Sequence, residues 1–434
     1  MDNEKIISMI KRNSFVVFDV SLKFFGLAFT LLANYFLSKQ SFNELSYFRT
    51  TLTMFVGLTT TGLSYYILNY HNKFIPDKDN RSIYLSTILF FFAIGMFVAA
   101  TLLIFFPETL NLSGIVDDRV LFFVAIIIFG TFTQLCIYIL KSARLLDNIA
   151  IPFFISTIIF LGLSGMTLLY IDFVYEILFL YYALTAILFF MLLFKEYRSI
   201  VSINDCFNNP FSAKEFKDFI VPSYLESFLS VPRTWITIFV FSTFVGFEKI
   251  GDILIIQMIF NLFVFVIQSI VMNEFDRIDV YDINSRTSYL SSINKKLDVL
   301  LWLYIFVVVF LHEYIMGLLN LTEISGFEII LLSIATLIQC KILPIGVLFK
   351  RMEFAKVSFN HNLFFTVLLV ITTVAFIYLF NSIGYGMSYA FSWCMTLVYI
   401  LWSSVRLNIV HIKTSLLMLL VMIVFIVSTY SLLS

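Results

Sequence analysis

The feature that most constrains this chain is its succession of long apolar runs, joined by short polar connections. A helix rises about 1.5 Å per residue, so crossing a hydrocarbon core of about 30 Å takes about 20 residues. Runs of that length lie near 14–37, 46–70, 82–106, 119–141, 148–171, 173–194, 219–245, 250–273, 297–320, 326–349, 357–380, 382–405 and 412–433. They predict an all-α polytopic membrane protein with thirteen transmembrane helices, or twelve to fourteen if an edge is misjudged. Composition agrees: 60% of residues are apolar and 13% charged, and 53 phenylalanines with 22 tyrosines exceed what one aqueous core buries. The net charge is zero, so nothing here tracks a nucleic-acid backbone.

The first apolar run follows the charged MDNEKIISMIKRN and continues past twenty residues without a small-residue cleavage site, which predicts a retained first helix rather than a signal peptide. The four cysteines stand singly, with no CxxC spacing and no histidine cluster, so neither a metal site nor a disulfide framework is expected. Loop charge sets the orientation. With the N-terminus inside, the inner segments carry 21 Lys and Arg, against Lys39, Arg119 and Lys249 outside, and positive residues are retained on the cytoplasmic side. The expected placement is multi-pass, with the N-terminus on the cytoplasmic side.

Adding 208 to the first six spans gives positions close to the next six. This predicts a duplicated six-helix unit: one bundle over 1–210, a second over 211–408, and an accessory helix over 409–434. Arg49, Thr53 and Thr60 share offsets with Gln257, Asn261 and Gln268, and steps of four and eleven return to one helical face. An even number of crossings per copy leaves both copies in the same orientation, hence parallel repeats.

Charged and polar stripes interrupt the spans. The first carries Asp19, Lys23, Gly26, Thr30 and Asn34 on one face; the seventh carries Ser223, Glu226, Ser227, Ser230, Arg233 and Thr234, bracketed by Pro222 and Pro232. A charge at mid-bilayer costs at least about 2.5–3.5 kcal/mol, so these groups are expected to face protein or water. Each has a plainer reading as well. Asp19 and Lys23 are spaced for an intrahelical ion pair, and Glu226 can neutralise Arg233. Lys341 can snorkel to the inner end of its helix, and Arg49 can anchor at the outer interface. Thr53, Thr60, Asn261 and Gln268 are as well suited to helix packing as to lining a cavity. Catalytic constellations are scarce: no Walker A, GxSxG or HExxH motif occurs, and Asp117-Asp118 reads as a solvated outer loop. No enzyme activity and no cofactor are expected.

The segment 34–47 (NYFLSKQSFNELSY), followed by Thr61-Gly-Leu-Ser-Tyr65, resembles the Wzx-type polysaccharide (O-antigen) flippases of the multidrug/oligosaccharidyl-lipid/polysaccharide (MOP) exporter superfamily. Similar features are the 216–222 segment (FKDFIVP) leading into the seventh span and 383–387 (IGYGM) opening the twelfth. The resemblance covers nearly the whole chain. It implies two six-helix bundles around a central cavity that alternates between inward and outward openings. It also implies movement of an undecaprenyl-pyrophosphate-linked oligosaccharide to the outer leaflet during lipopolysaccharide or other polysaccharide assembly, alongside other assembly proteins. Such a ligand needs cations for its pyrophosphate, and Arg233, Lys23 and Lys341 are the candidates. Tyr385, Tyr389 and Tyr399 can offer faces to sugars. Coupling to an H+ or Na+ gradient needs a titratable acid, Asp19 or Glu226. Two other readings compete: an ion-coupled multidrug exporter of the same superfamily, which would favour an acidic pocket, and a membrane glycosyltransferase or polymerase, which the short outer loops disfavour.

Overall fold

Backbone groups inside hydrocarbon must be bonded within the chain, and a helix satisfies them segment by segment. The regular structure is helical throughout the described residues. In the computed structural model these are 14–105, 120–143, 149–167, 174–198, 221–229, 248–274, 282–318, 325–352 and 354–406, with short pieces at 145, 202, 217–218, 232–233, 240–241, 243–246, 419–424 and 426–428. Twelve helices follow in order: α1 (Ser14–Phe36), α2 (Lys39–Phe74), α3 (Lys78–Phe105), α4 (Val120–Ser142), α5 (Ala150–Thr167), α6 (Val174–Tyr197), α7 (Val221–Phe228), α8 (Glu248–Asn273), α9 (Ile283–Leu318), α10 (Gly326–Arg351), α11 (Ala355–Phe380) and α12 (Ile383–Arg406). Every helix from α7 onward starts within three residues of the position that the 208 offset assigns from α1–α6.

Seven of the described helices contain segments long and apolar enough to cross a membrane, for example Phe123–Ser142, Gly251–Asn273 and Gly326–Arg351. Shorter apolar helical segments occur at Phe24–Phe36, Pro152–Gly165 and Leu419–Ser428. Many large apolar side chains point outward, Phe97, Leu163, Met191, Phe306, Tyr378 and Val398 among them, as a lipid solvent permits. The chain is a multi-pass membrane protein by these criteria. Two helices outrun the apolar edges read from sequence. α9 begins at Ile283 rather than near 297, because Leu290, Ile293 and Leu297 keep one buried stripe while Ser291, Ser292, Lys295 and Lys296 stay exposed. α2 begins at Lys39, capped by Ser38, whose hydroxyl accepts from the Ser41 amide at 3.2 Å.

The chain divides into two compact units, Met1–Thr234 and Trp235–Ser434. The division falls beyond the 210/211 boundary that the duplication suggests, because α7 packs along α2 and the Tyr224 hydroxyl donates to the Phe91 carbonyl of α3 (3.2 Å). Of the seventh span, expected over 219–245, the described residues give the helix α7 and helical residues at 232–233, 240–241 and 243–244. Pro222 fits the first turn of α7, whereas Pro232 supplies no amide to a continuing helix.

Packing within the units repeats. In the first, α2 lies on α4 and α4 on α6; in the second, α8 lies on α10 and α10 on α12. The first unit is joined by aromatic pairs: Phe25 of α1 stacks on Tyr181 of α6 (centroids 3.6 Å) and Phe18 on Phe153 of α5 (4.2 Å). The Thr59 hydroxyl of α2 donates to Thr131 of α4 at 3.0 Å. In the second unit Phe365 of α11 meets Trp393 of α12 (4.2 Å), and the Thr372 and Ser392 hydroxyls share a bond of 3.2 Å. α10 opens on a capping box: the Ser325 amide donates to the Glu328 carboxylate (2.8 Å) and the Glu328 amide to the Ser325 hydroxyl (3.3 Å).

Candidate functional site

The polar groups of the first unit gather on α1 and α2. The side chains of Asp19 and Lys23 lie outside the described residues, although both backbones belong to α1. Thr30 is fully buried and its hydroxyl donates to the Gly26 carbonyl at 2.9 Å. The same carbonyl accepts from Nη1 of Arg49 on α2. A Cβ at position 26 would meet Nη2 of Arg49, so a larger residue there would make the guanidinium shift. Tyr182 of α6 is the electrostatic neighbour of Arg49. Arg49, read from sequence as an interface anchor, thus reaches α1 at Gly26, a residue near the middle of the first apolar run. Only the glycine in the α1 stripe hinted at this contact.

The remaining polar positions are dispersed. Asn34 is half-buried. Thr53 is exposed and donates to the Arg49 carbonyl (2.9 Å), while buried Thr60 donates to the Val56 carbonyl (2.8 Å). Glu226 of α7 and Arg233 beyond it are both half-buried. In the second unit Asn261 is exposed and Gln268 half-buried on α8.

Lys341 of α10 is 4% exposed and forms an ion pair with Asp298 of α9. Asp298 stands at the N-terminal edge of its apolar run, so the lysine stem extends from within α10 toward that edge. This partner escaped the sequence reading because Asp298, beside Lys295 and Lys296, looks like part of a solvated charge cluster. The tyrosines named for sugar contact also have protein neighbours: Tyr385 packs on Tyr389 (5.0 Å), and Tyr399 meets His361 edge-on (4.8 Å) and Trp402 (6.1 Å).

Two histidines occupy buried polar positions toward the expected cytoplasmic ends. His71, just beyond the apolar run of α2, shares hydrogen bonds with the Tyr84 hydroxyl of α3 (3.1 Å, through Nδ1) and the Tyr197 hydroxyl of α6 (2.8 Å, through Nε2). Burial pushes its imidazole pKa down to about 4. A neutral ring has one donor and one acceptor nitrogen, so it bridges both phenols. His361 of α11 shares a bond of 2.9 Å with Ser403 of α12.

No protein-family model matches the chain, and no curated protein matches it in sequence. Solved structures do match. An inward-facing multidrug resistance MATE family transporter of the MOP superfamily aligns at a TM-score of 0.64 and 12% identity, over 91% of this chain and 99% of its own. The lipid II flippase MurJ, in an inward closed conformation, gives 0.61 and 17% over 98% and 92%. A MOP superfamily transporter from Pyrococcus furiosus, described as having a binding pocket of reverse polarity, gives 0.62 and 14% over 94% and 96%. At such identities the likeness is one of fold: the chain has the helical architecture of MOP superfamily transporters.

Proposed function

We propose that the chain is a lipid-linked oligosaccharide flippase. It moves an undecaprenyl-pyrophosphate-linked repeat unit from the inner to the outer leaflet of the cytoplasmic membrane by alternating access, coupled to an H+ or Na+ gradient. The observation that carries this reading is the cation held deep in the first unit: Arg49, partly buried and donating to a backbone carbonyl of α1, with no carboxylate bonded to it among the described residues. A guanidinium kept at that depth favours an anionic ligand, because it binds phosphate oxygens in bidentate fashion and strongly in low dielectric. A site for cationic drugs would place an acid there instead. The fold supports the reading, since one of the matching structures is itself a lipid II flippase.

Arg233 and Lys23 are assigned as further pyrophosphate contacts, with Lys341 contributing if it leaves Asp298. Asp19 and Glu226 are assigned to ion coupling, and the hydroxyls and amides of Thr30, Asn34, Thr53, Thr60, Asn261 and Gln268 to sugar contact. The multidrug exporter is the second reading, favoured by the MATE likeness.

Reconstitution into proteoliposomes separates the two. The expected result is movement of an undecaprenyl-pyrophosphate oligosaccharide to the opposite leaflet, with no efflux of a cationic dye. Dye efflux without lipid movement overturns the proposal. Arg233→Ala is expected to abolish lipid movement and Arg233→Lys to retain part of it, and unchanged movement by the Ala variant at equal expression removes Arg233 from the site.

A further inference from the structure

The Gly26 carbonyl is shared by two side-chain donors. Its own helix already gives it the amide four residues on, Thr30 adds a hydroxyl at 2.9 Å, and Arg49 adds Nη1 from α2. A carbonyl oxygen has two lone pairs, so three donors leave one of them weakly held. The arginine is the donor with a better alternative, because an anionic oxygen makes a charge-assisted bond roughly twice as strong as a neutral one. Residue 26 has no side chain, and the guanidinium lies where a Cβ there would meet it.

We propose that Gly26 and Thr30 form a seat on α1 for the Arg49 guanidinium. The seat holds the cation while the protein is unliganded and yields it to the anionic headgroup of a lipid, and the Thr30 hydroxyl keeps the carbonyl bonded once Arg49 has left. The proposal rests on the flippase reading for its ligand and adds two positioning residues to it. Gly26 sets where the guanidinium waits, and Thr30 sets how readily it departs. A competent state that is populated only in part lowers apparent affinity by that fraction, so the seat weakens binding and returns the cation when the headgroup leaves.

The test is binding of undecaprenyl pyrophosphate to the full chain in nanodiscs, with undecaprenol as the uncharged control, and leaflet transfer measured in parallel. Arg49→Ala is expected to weaken binding about tenfold or more, the loss of one charge-assisted bond. Gly26→Ala removes the seat and keeps the charge, so binding is expected to tighten, by about threefold, while transfer slows. Thr30→Val is expected to weaken binding about twofold, because Arg49 is then held harder. Thr30→Ser is expected to restore it, a rescue that packing alone would not give.

Gly26→Ala binding as weakly as Arg49→Ala, at unchanged melting temperature, overturns the seat, since glycine would then serve only to bring the helices together. Should Gly26→Ala fail to fold, the Val and Ser pair at position 30 decides, and equal binding by both overturns the proposal. Binding that responds to Arg49 and to neither α1 residue removes the seat and leaves the flippase reading intact. A parent chain that prefers undecaprenol, or binds both lipids equally, overturns the flippase reading and the seat together.

Discussion

His71 shows how a single buried group ties local chemistry to pH. Its pKa is lowered to about 4 in the folded protein, against an ordinary value near 6.5, so between these pH values the unfolded chain binds a proton that the folded chain does not. Its contribution is therefore complete above about pH 6.5 and declines as pH falls toward 4. The melting temperature in detergent is expected to drop over that window, and His71→Gln, which keeps a donor and an acceptor, is expected to flatten the drop. An unaltered profile in the Gln variant assigns the acid sensitivity elsewhere. Lys341 and Asp298 invite a second test. Removing one partner of a buried pair leaves an uncompensated charge and costs about 3–5 kcal/mol, whereas replacing both by apolar residues is often neutral. Asp298→Asn is expected to melt well below the parent, and Lys341→Met with Asp298→Leu to recover most of the loss. If the recovered double variant still moves lipid, Lys341 is structural; if it does not, the lysine also serves the ligand. Sequence alone exposed the α1 stripe and the deep lysine. It could not expose their partners, because Arg49 and Asp298 lie on other helices, and nothing in a linear pattern says which faces meet.

Among the helices, close approach is set by small residues at defined places. A Cβ at Gly95 of α3 would come within 2.5 Å of the Thr59 Cγ2 and 3.0 Å of its Cα, and Thr59 is the residue that reaches Thr131 on α4. Gly95 is thus a point of close approach between α3 and α2. Gly162 of α5 meets nothing within 4 Å. The same substitution is expected to act with opposite sign at the two positions. Gly95→Ala overpacks the contact and costs about 1–3 kcal/mol, whereas Gly162→Ala gains up to about 1 kcal/mol of helix propensity. Melting temperatures of the two variants check this, and a shift of the same sign in both would mean that packing at Gly95 relaxes without cost. Apolar length located these helices well because the bilayer fixes that length. It misplaced the starts of α9 and α2, where an amphipathic extension and a serine cap decide the ends instead of hydrophobicity.

For the whole molecule, the helix starts repeat at the 208 offset and the fold is that of MOP superfamily transporters, so the duplication was legible from apolar spacing, while the cargo was not. What a transporter of this fold carries depends on a few side chains that 12–17% identity does not transfer. Loop charge makes a sharper claim about the molecule. If 21 Lys and Arg mark the inner side, the connection at 107–118 is outside and the turn at 350–356 inside. The stretch 412–433 then decides where the chain finishes. It has one cation, Lys413, at its start and no charge beyond, and its apolar part of about 20 residues is long enough for a ~30 Å core. Described helical turns fall within it at 419–424 and 426–428. Lys413 retained inside would send Ser434 to the outer face. An alkaline phosphatase fused after Ser434 is therefore expected to be active and a green fluorescent protein at the same point dark, with the reverse pattern for fusions after Arg406. Fluorescence at both positions would leave twelve crossings and make 412–433 an interfacial helix lying along the inner leaflet.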